Sequence, residues 1–499
     1  LSGPCVILLR LSESIIATEM RPLLFLFFSV LILETLGNNI LPLIDRDEPR
    51  FAEASREMRH SGDLIIPRVN GAYRFDKPPL IYWCQVASSM IFGESDFSVR
   101  FPSAVFAAAT VVLTAGWASR LYGAAVGFWS GLVLGTCLQL FIHGRAAVAD
   151  MPMIFFFIGA TWAAWERSQG QRSLLLWVCF YFALAAGFLA KGPVAFLPII
   201  ALPLFHLWAR TPMRFRPGSA IYGGLLVLVI IGLWGIPAVI RTHGEFFQVG
   251  IGKHVVMRSV APLQSHGASG IGGYFLLLPF YFVTLLFSFF PWSLFLPGII
   301  QRLRIGLDAF ERYALCGIGV VFVVFSLLQT KLPHYTLPAF PLIAILVGRT
   351  IHESRFRSIV AVSAFATYLL IALVGFQWIA PYFPSKSVFE RVAEHLTAST
   401  RTASIGYDEP SLIWYLRYRT LAFHQSLAPS ELRNFMHQPG PALCVISADQ
   451  VVEIDPSWQK TSVTGYDFSR WKLRTAPFFG WEINFLLPQP ISLIAYMKR

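Results

Sequence analysis

The sequence predicts a polytopic α-helical membrane protein with about eleven to thirteen spans, a charged juxtamembrane loop and a small C-terminal α/β domain. Three observations carry this. Hydrophobic residues make up 55% of the 499 and charged residues only 14%. Apolar runs near 20 residues, the length that crosses a bilayer core of about 30 Å, recur along the first 380 positions. After Pro381 the pattern changes to mixed charge, turn residues and short apolar runs such as Ala442–Ile446 and Phe485–Leu487.

In chain order, residues 1–19 read as an upstream extension, since Met20-Arg21 opens the first long apolar run. That run, 22–44, exceeds a signal-peptide core and lacks a small-x-small cleavage site, so it reads as a retained span. Further spans are expected near 101–119, 122–141, 151–165, 174–190, 193–209, 220–240, 272–298, 313–329, 336–348 and 358–380. Residues 20–380 thus form the membrane domain, with an outward loop at 45–100, and 381–499 the soluble domain. Twelve arginines, from Arg120 to Arg357, fall in five alternate short loops. Arginine-rich short loops face the cytoplasm. The other loops and the C-terminal domain then face outward.

The net charge of +12 does not point to nucleic acid, because the arginines lie between apolar runs rather than on one patch. Six cysteines are scattered without a C-x-x-C pair or zinc-ligand spacing and read as packing residues. A Walker A loop, a G-x-G-x-x-G between strand and helix, and a G-x-S-x-G elbow are all missing from the sequence.

The first outward loop carries the densest charge. Asp45, Asp47, Glu48, Arg50, Glu53 and Arg56 crowd its start. Asp47 reads as an N-cap, with Pro49 in the first turn, Phe51, Ala54 and Met58 as an apolar stripe, and Gly62 as the stop. The helix is expected along the membrane surface. Capping explains the backbone but not so many carboxylates at the mouth of a membrane protein. Leu64–Val69, Asn70-Gly71 and Ala72–Phe75 read as a hairpin or extended loop. Asp76-Lys77-Pro78-Pro79 then fixes Lys77 before the next apolar segment.

The remaining candidates lie in outward loops. Asp150 again reads as an N-cap that is also a second candidate acid, with Arg145 in the same loop. The first 380 residues hold four lysines, Lys77, Lys191, Lys253 and Lys331, and all four fall on the outward face. A single such lysine is explained by snorkelling. Four of four suggest compact cations held there for phosphate. Lys331 belongs to a polar insertion, KLPHYTLP, that includes Tyr335. The 241–271 loop offers His243, His254 and His266, a weak metal signal without ligand spacing.

DEPRFAE (47–53), SGDLIIPRVNG (61–71), FDKPPLIYW (75–83), Asp150-x-Pro152, Lys191-Gly192 and KLPHYTLP (331–338) occur together in this order. This resembles the bacterial glycosyltransferases of the protein O-mannosyltransferase superfamily that use polyprenyl-phosphate-linked sugars, most of all the lipid A aminoarabinose transferase branch. The similarity spans about 22–350. Phe51 stands where the family pattern has Tyr, and Asp76 where it has Glu. The resemblance implies a GT-C membrane fold with a periplasmic cavity in the inner membrane, a polyprenyl-phosphate-sugar donor and a lipid, glycan or protein acceptor, without nucleic acid. It implies Asp47 as the acid that activates or orients the acceptor, with Asp150 supporting it. It also implies Arg50, Lys77, Tyr82, Arg145, Lys191, Lys331 and Tyr335 as substrate and phosphate contacts, and single inversion at the anomeric carbon. No cofactor is called for with certainty. A divalent metal stays open, with Asp76 and His254 as its candidate ligands.

A transporter or flippase for a lipid-linked sugar is the alternative. It accounts for spans and outward cations but not for carboxylates gathered on one face beneath a soluble domain. Transporter sites also tend to lie at the midplane of repeated halves. Here no repeat is legible, and Glu34 is the one midplane charge.

Overall fold

The computed structural model describes residues 4–213, 217–250, 252, 275, 277–478 and 481–498. Lys253 and His254 lie outside the described residues. The chain is mainly helical, as its apolar periodicity requires. α1 (Pro4–Thr35), α2 (Asp47–Ser61), α3 (Leu80–Phe92) and α4 (Asp96–Tyr122) precede a bent pair, α5 (Ala124–Gly135) and α6 (Leu138–Gly144). Then come α7 (Asp150–Ser168), α8 (Leu174–Lys191), α9 (Leu197–Ala209) and α10 (Pro217–Arg241). A second bent pair, α11 (Phe280–Ser288) and α12 (Leu296–Ile305), leads to α13 (Ala309–Leu327), α14 (Phe340–Ile351) and α15 (Arg357–Leu370).

Each expected span contains helix among the described residues, but not every one is helical throughout, straight or long. Among the described residues five helices have the length and apolarity to cross a membrane, and seven do if each bent pair is one span. The predicted span 122–141 is bent by 65° between α5 and α6, and 272–298 by 113° around Pro291. The first span ends at Thr35 rather than 44. Gly37, at φ +78°, turns the chain just beyond it.

Contacts divide the chain into two compact units, one of residues 1–36, 75–84 and 100–369, the other of 37–74, 85–99 and 370–499. In the first unit α5 packs on α14, α7 on α8, and α9 on α13. Trp117, Trp165, Phe205, Phe310 and Tyr313 fill the space between helices. Two of the buried polar tips are paired: Tyr313 donates to Thr161 O at 2.8 Å and Trp292 Nε1 to Thr136 Oγ1 at 2.9 Å. An unpaired tip would cost about 1–3 kcal/mol. Only 22% of the apolar window of α10 is buried, against 61% for α4. This helix exposes Leu225, Val229 and Leu233, an apolar surface of the kind that contacts lipid.

The second unit holds α2, the start of the charged loop and the C-terminal α/β fold. Its five-stranded sheet combines β3 (Arg401–Ile405), β4 (Gln425–Ser426), β5 (Ala442–Ser447), β6 (Gln459–Phe478) and β7 (Trp481–Lys498), in the order β4-β3-β5-β7-β6. β3 runs parallel to β4 and β5, while β7 runs antiparallel to β5 and β6. β5, the apolar run read from sequence, is buried along its whole length. α16 (Pro384–Val392) and α17 (Pro410–Leu416) cover one face through Val388, Val392, Leu412 and Leu416, and α18 (Leu432–His437) the other through Leu432 and Phe435.

The hairpin reading is met by β1 (Arg68–Val69) and β2 (Ala72–Tyr73), paired Arg68 to Tyr73 and Val69 to Ala72. Asn70 and Gly71 both have positive φ, as a two-residue hairpin turn demands. α2 departs from expectation. Glu48, Glu53, Arg56 and Glu57 are buried together with Phe51, Ala54 and Met58, so this helix is packed on its charged side too. The cause is a set of matching charges. Arg56 bonds Glu53 at 2.8 Å and Glu94 at 3.0 Å, and Arg417 bonds Glu53 and, at 2.7 Å, Glu57.

Candidate functional site

Asp47 is the first residue of α2 rather than its cap. Arg46 occupies the capping position, and no side chain caps the helix end there. The Asp47 carboxylate is exposed at the first helical turn, with Arg50 half-buried one turn later. The residues before it are held firmly. Asp45 accepts from Ser411 N at 2.9 Å and from Ser411 Oγ, while Arg46 makes a two-point contact with Glu409, each bond 3.2 Å. Leu43 N donates to Tyr415 Oη at 2.9 Å. Burial pushes the Asp45 carboxyl up to about 7, against the Ser411 hydrogen bonds and with the Glu409 charge adding to the rise. Of the two neighbouring aspartates, Asp45 is thus tied into α17 and Asp47 is exposed.

In the first unit, a cavity of about 750 Å³ opens among α7, α8, α10 and α13. That is the size of a pocket for a substantial organic ligand. Its walls are mainly apolar, with Phe188, Leu228, Trp234 and Phe246 among them. Its polar groups are few: Asp76, Lys77, Asp150, Lys191, Thr330, His334 and Tyr335. Lys191 ends α8, followed at once by Gly192 (φ +80°), and its Nζ meets Asp150 Oδ1 at 2.5 Å. Lys77 sits in the bent Asp76–Pro79 segment before α3 and donates to Asp76 O at 3.2 Å. Tyr335 packs against Phe325 in a tilted arrangement, centroids 5.1 Å apart, with Lys191 Nζ 5.8 Å from its ring.

Asp150 is the first residue of α7, with Ala149 at the cap position and no capping side chain. His334 Nε2 lies 4.0 Å from Asp150 Oδ1, and the rings of His334 and His143 are 4.8 Å apart. Burial holds the His334 imidazole well below its usual range against the pull of Asp150. One ligand atom from each of His143, Asp150 and His334 lies within 4.8 Å of the others.

The structure does not bring all the sequence-predicted residues to this cavity. Arg145 donates to Phe141 O, Leu36 O and, at 2.6 Å, Leu33 O, so it binds the open carbonyl end of α1, and Asp150 pairs with Lys191 instead. Lys331 is buried and donates to Ser326 O and Phe325 O at the end of α13. Tyr82 is wholly buried in α3. None of these three lines the cavity. Asp76 does line it, whereas its expected metal partner His254 lies outside the described residues. Asp47 and Arg50 belong to the second unit. The sequence reading missed His143 and underused His334. Their signals, HGR at 143–145 and the histidine inside KLPHYTLP, are legible only once the fold sets them beside Asp150.

Residues 76–234 match the family model described as dolichyl-phosphate-mannose-protein mannosyltransferase, a segment that includes Asp76, Lys77, Asp150 and Lys191. The chain is 31% identical over 330 residues to the undecaprenyl phosphate-alpha-4-amino-4-deoxy-L-arabinose arabinosyl transferase 2 of Sodalis glossinidius, covering 62% of this chain and 57% of that one. The corresponding transferase of Erwinia tasmaniensis is 30% identical, with 60% and 54% covered. The chain thus spans somewhat more than half the length of these two relatives. Its fold is similar to that of ArnT from Cupriavidus metallidurans, solved bound to undecaprenyl phosphate. That likeness has a TM-score of 0.73 at 18% identity and covers 94% of this chain and 97% of the other.

Proposed function

We propose that this chain, an aminoarabinose-transferase-like protein of the protein O-mannosyltransferase superfamily, is an integral-membrane glycosyltransferase that takes its sugar from a polyprenyl-phosphate donor. The acceptor is lipid A or another envelope lipid, glycan or protein, and the transfer takes place on the periplasmic face of the inner membrane. The observation that carries this is the cavity's composition. A mainly apolar chamber suits a polyprenyl tail, and two lysines in its wall suit the phosphate that the tail carries.

Cleaving the sugar–phosphate bond leaves a lipid phosphate whose charge needs stabilising more than it needs a proton. Lys77 and Lys191 supply fixed positive charge in a poorly hydrated pocket, where electrostatic stabilisation is strongest. Tyr335 offers a hydrogen bond to a phosphate oxygen. Asp150 holds Lys191 in place. The acceptor side of the reaction is assigned to Asp47. For a hydroxyl acceptor it removes the proton; for an acceptor that is already an anionic phosphate it orients the nucleophile. Single displacement at the anomeric carbon inverts its configuration.

The test is mass spectrometry of envelope lipids from a strain lacking this chain and from the same strain supplied with it. The proposal requires a sugar-sized mass, lost in the deletion and restored by the native chain but not by Asp47→Asn. An envelope unchanged in every sugar-bearing component contradicts it.

A further inference from the structure

We propose that a second cavity, at the opposite end of α8 from Lys191, binds an anionic phospholipid whose phosphate is held by Arg167 and Arg172. This cavity measures about 790 Å³ and lies among α7, α8, α9 and α10. Phe180, Ile199, Leu202 and Pro203 give it apolar wall, while Arg167 and Arg172 give it charge. None of its lining residues is a carboxylate. Ile199 on α9 and Tyr222 on α10 line the cavity and are also exposed, so it opens toward the lipid side of these helices.

Its place in the membrane follows from the helices it shares with the first cavity. Leu174, Trp177 and Tyr181, in the first half of α8, line this one, whereas Phe188 and Lys191 line the other. The 18 residues of α8 rise roughly 27 Å, close to the bilayer core of about 30 Å. α7 and α10 divide between the two cavities in the same sense. The two cavities therefore serve opposite leaflets. In the orientation set by the arginine-rich loops, this one belongs to the cytoplasmic leaflet.

The charge is held in place and lacks an acidic partner. Arg167 lies in the last turn of α7 and Arg172 in the connection to α8. That connection turns at Gly170, φ +92°, and is tied by Gln171 N donating to Glu166 O at 3.1 Å. Arg167 donates to Ser219 Oγ on α10 at 3.3 Å, a neutral partner. The nearest carboxylate in sequence, Glu166, instead meets Arg120 and Trp162 Nε1, each at 2.9 Å. Two guanidinium groups beside an apolar wall complement a phosphate that carries acyl chains. Basic pockets between membrane helices on the cytoplasmic side take such headgroups. A free anion would leave the apolar wall unused, and a zwitterionic headgroup would bring its own cation to the arginines. The site stands apart from the transferase reading and requires nothing of it.

The experiment uses the full chain, purified and delipidated in detergent. Phosphatidylglycerol, phosphatidylcholine with the same acyl chains, and inorganic phosphate are added separately, and occupancy is read by native mass spectrometry. The expected result is one phosphatidylglycerol per chain, bound at least tenfold more tightly than phosphatidylcholine. The Arg167→Gln, Arg172→Gln double variant loses that preference. Arg304→Gln, an equal charge loss outside the cavity, keeps it. Thermal melts confirm that each variant is folded, and phosphatidylglycerol raises the melting temperature of the native chain but not of the double variant. Equal affinity for the two lipids in the folded native chain overturns the proposal, as does an unchanged preference in the double variant. Displacement of the lipid by millimolar inorganic phosphate would mark a free-anion site and overturn it too. One-for-one displacement by polyprenyl phosphate would assign the cavity to the donor instead.

Discussion

At the residue scale, three acidic residues stand in three different surroundings. Asp47 is presented at the start of α2, Asp45 is bound to Ser411, and Asp150 is bound to Lys191. Asp47→Asn keeps the shape and removes the charge. For a hydroxyl acceptor, turnover is expected to fall by about 10²–10⁴-fold with folding unchanged; turnover at the native rate refutes the assignment. Lys191→Met removes a fixed cation from the cavity wall and is expected to cost roughly 10²-fold in turnover, checked with the same donor assay. Asp45 gives a pH prediction. Its folded carboxyl titrates near 7 because of burial, above the ordinary 3.8. Its contribution is therefore fully present below about pH 4 and is lost as pH rises through 7. Thermal stability should decline over that interval in the native chain, and the decline should be shallower in Asp45→Asn. Equal slopes in the two proteins contradict this origin. The place of Asp47 at the head of a helix was legible from its motif. The tie between Asp45 and Ser411 was not, because the two lie 366 positions apart.

At the scale of elements, α2 shows where local pattern fails. Its apolar stripe, its Gly62 stop and the Asn70-Gly71 hairpin beyond it were readable from side-chain chemistry. A surface helix was the natural reading because charges occupy its other side. The partners that bury those charges, Arg417 and the Trp414 ring under Arg56 at 3.7 Å, come from α17 and the turn after it. Arg56→Ala leaves Glu53 buried with part of its compensation gone, and such a loss costs about 3–5 kcal/mol. Burial already raises the Glu53 carboxyl against the pull of Arg56 and Arg417. Hydrogen exchange across 47–61 should accelerate in this variant. Protection equal to the native chain's would show that the ion network is not what holds the helix. Gly71→Ala, forced to φ +79° beside Phe423, is expected to destabilise the hairpin by about 1 kcal/mol or more, read from the same exchange experiment at 64–75.

At the scale of the molecule, hydropathy located the helices, since spans near 20 residues are dictated by bilayer thickness. It could not show that two spans are bent or that the first stops at Thr35. Those features depend on Gly37, Pro291 and packing partners distant in sequence. The lysine distribution also proved only a partial guide. Lys77 and Lys191 reach the cavity, whereas Lys331 is used at a helix end. An outward-loop count cannot separate a ligand cation from a capping one. The central claim is that a mainly apolar chamber with two lysines in its wall serves chemistry on a lipid-linked sugar rather than its passage across the membrane. The most direct measurement reconstitutes the purified chain in vesicles with a polyprenyl-phosphate sugar and an acceptor lipid, and follows both products. The account predicts polyprenyl phosphate released in step with glycosylated acceptor, both abolished by Asp47→Asn. Donor that crosses the bilayer intact, with no polyprenyl phosphate released, would contradict it.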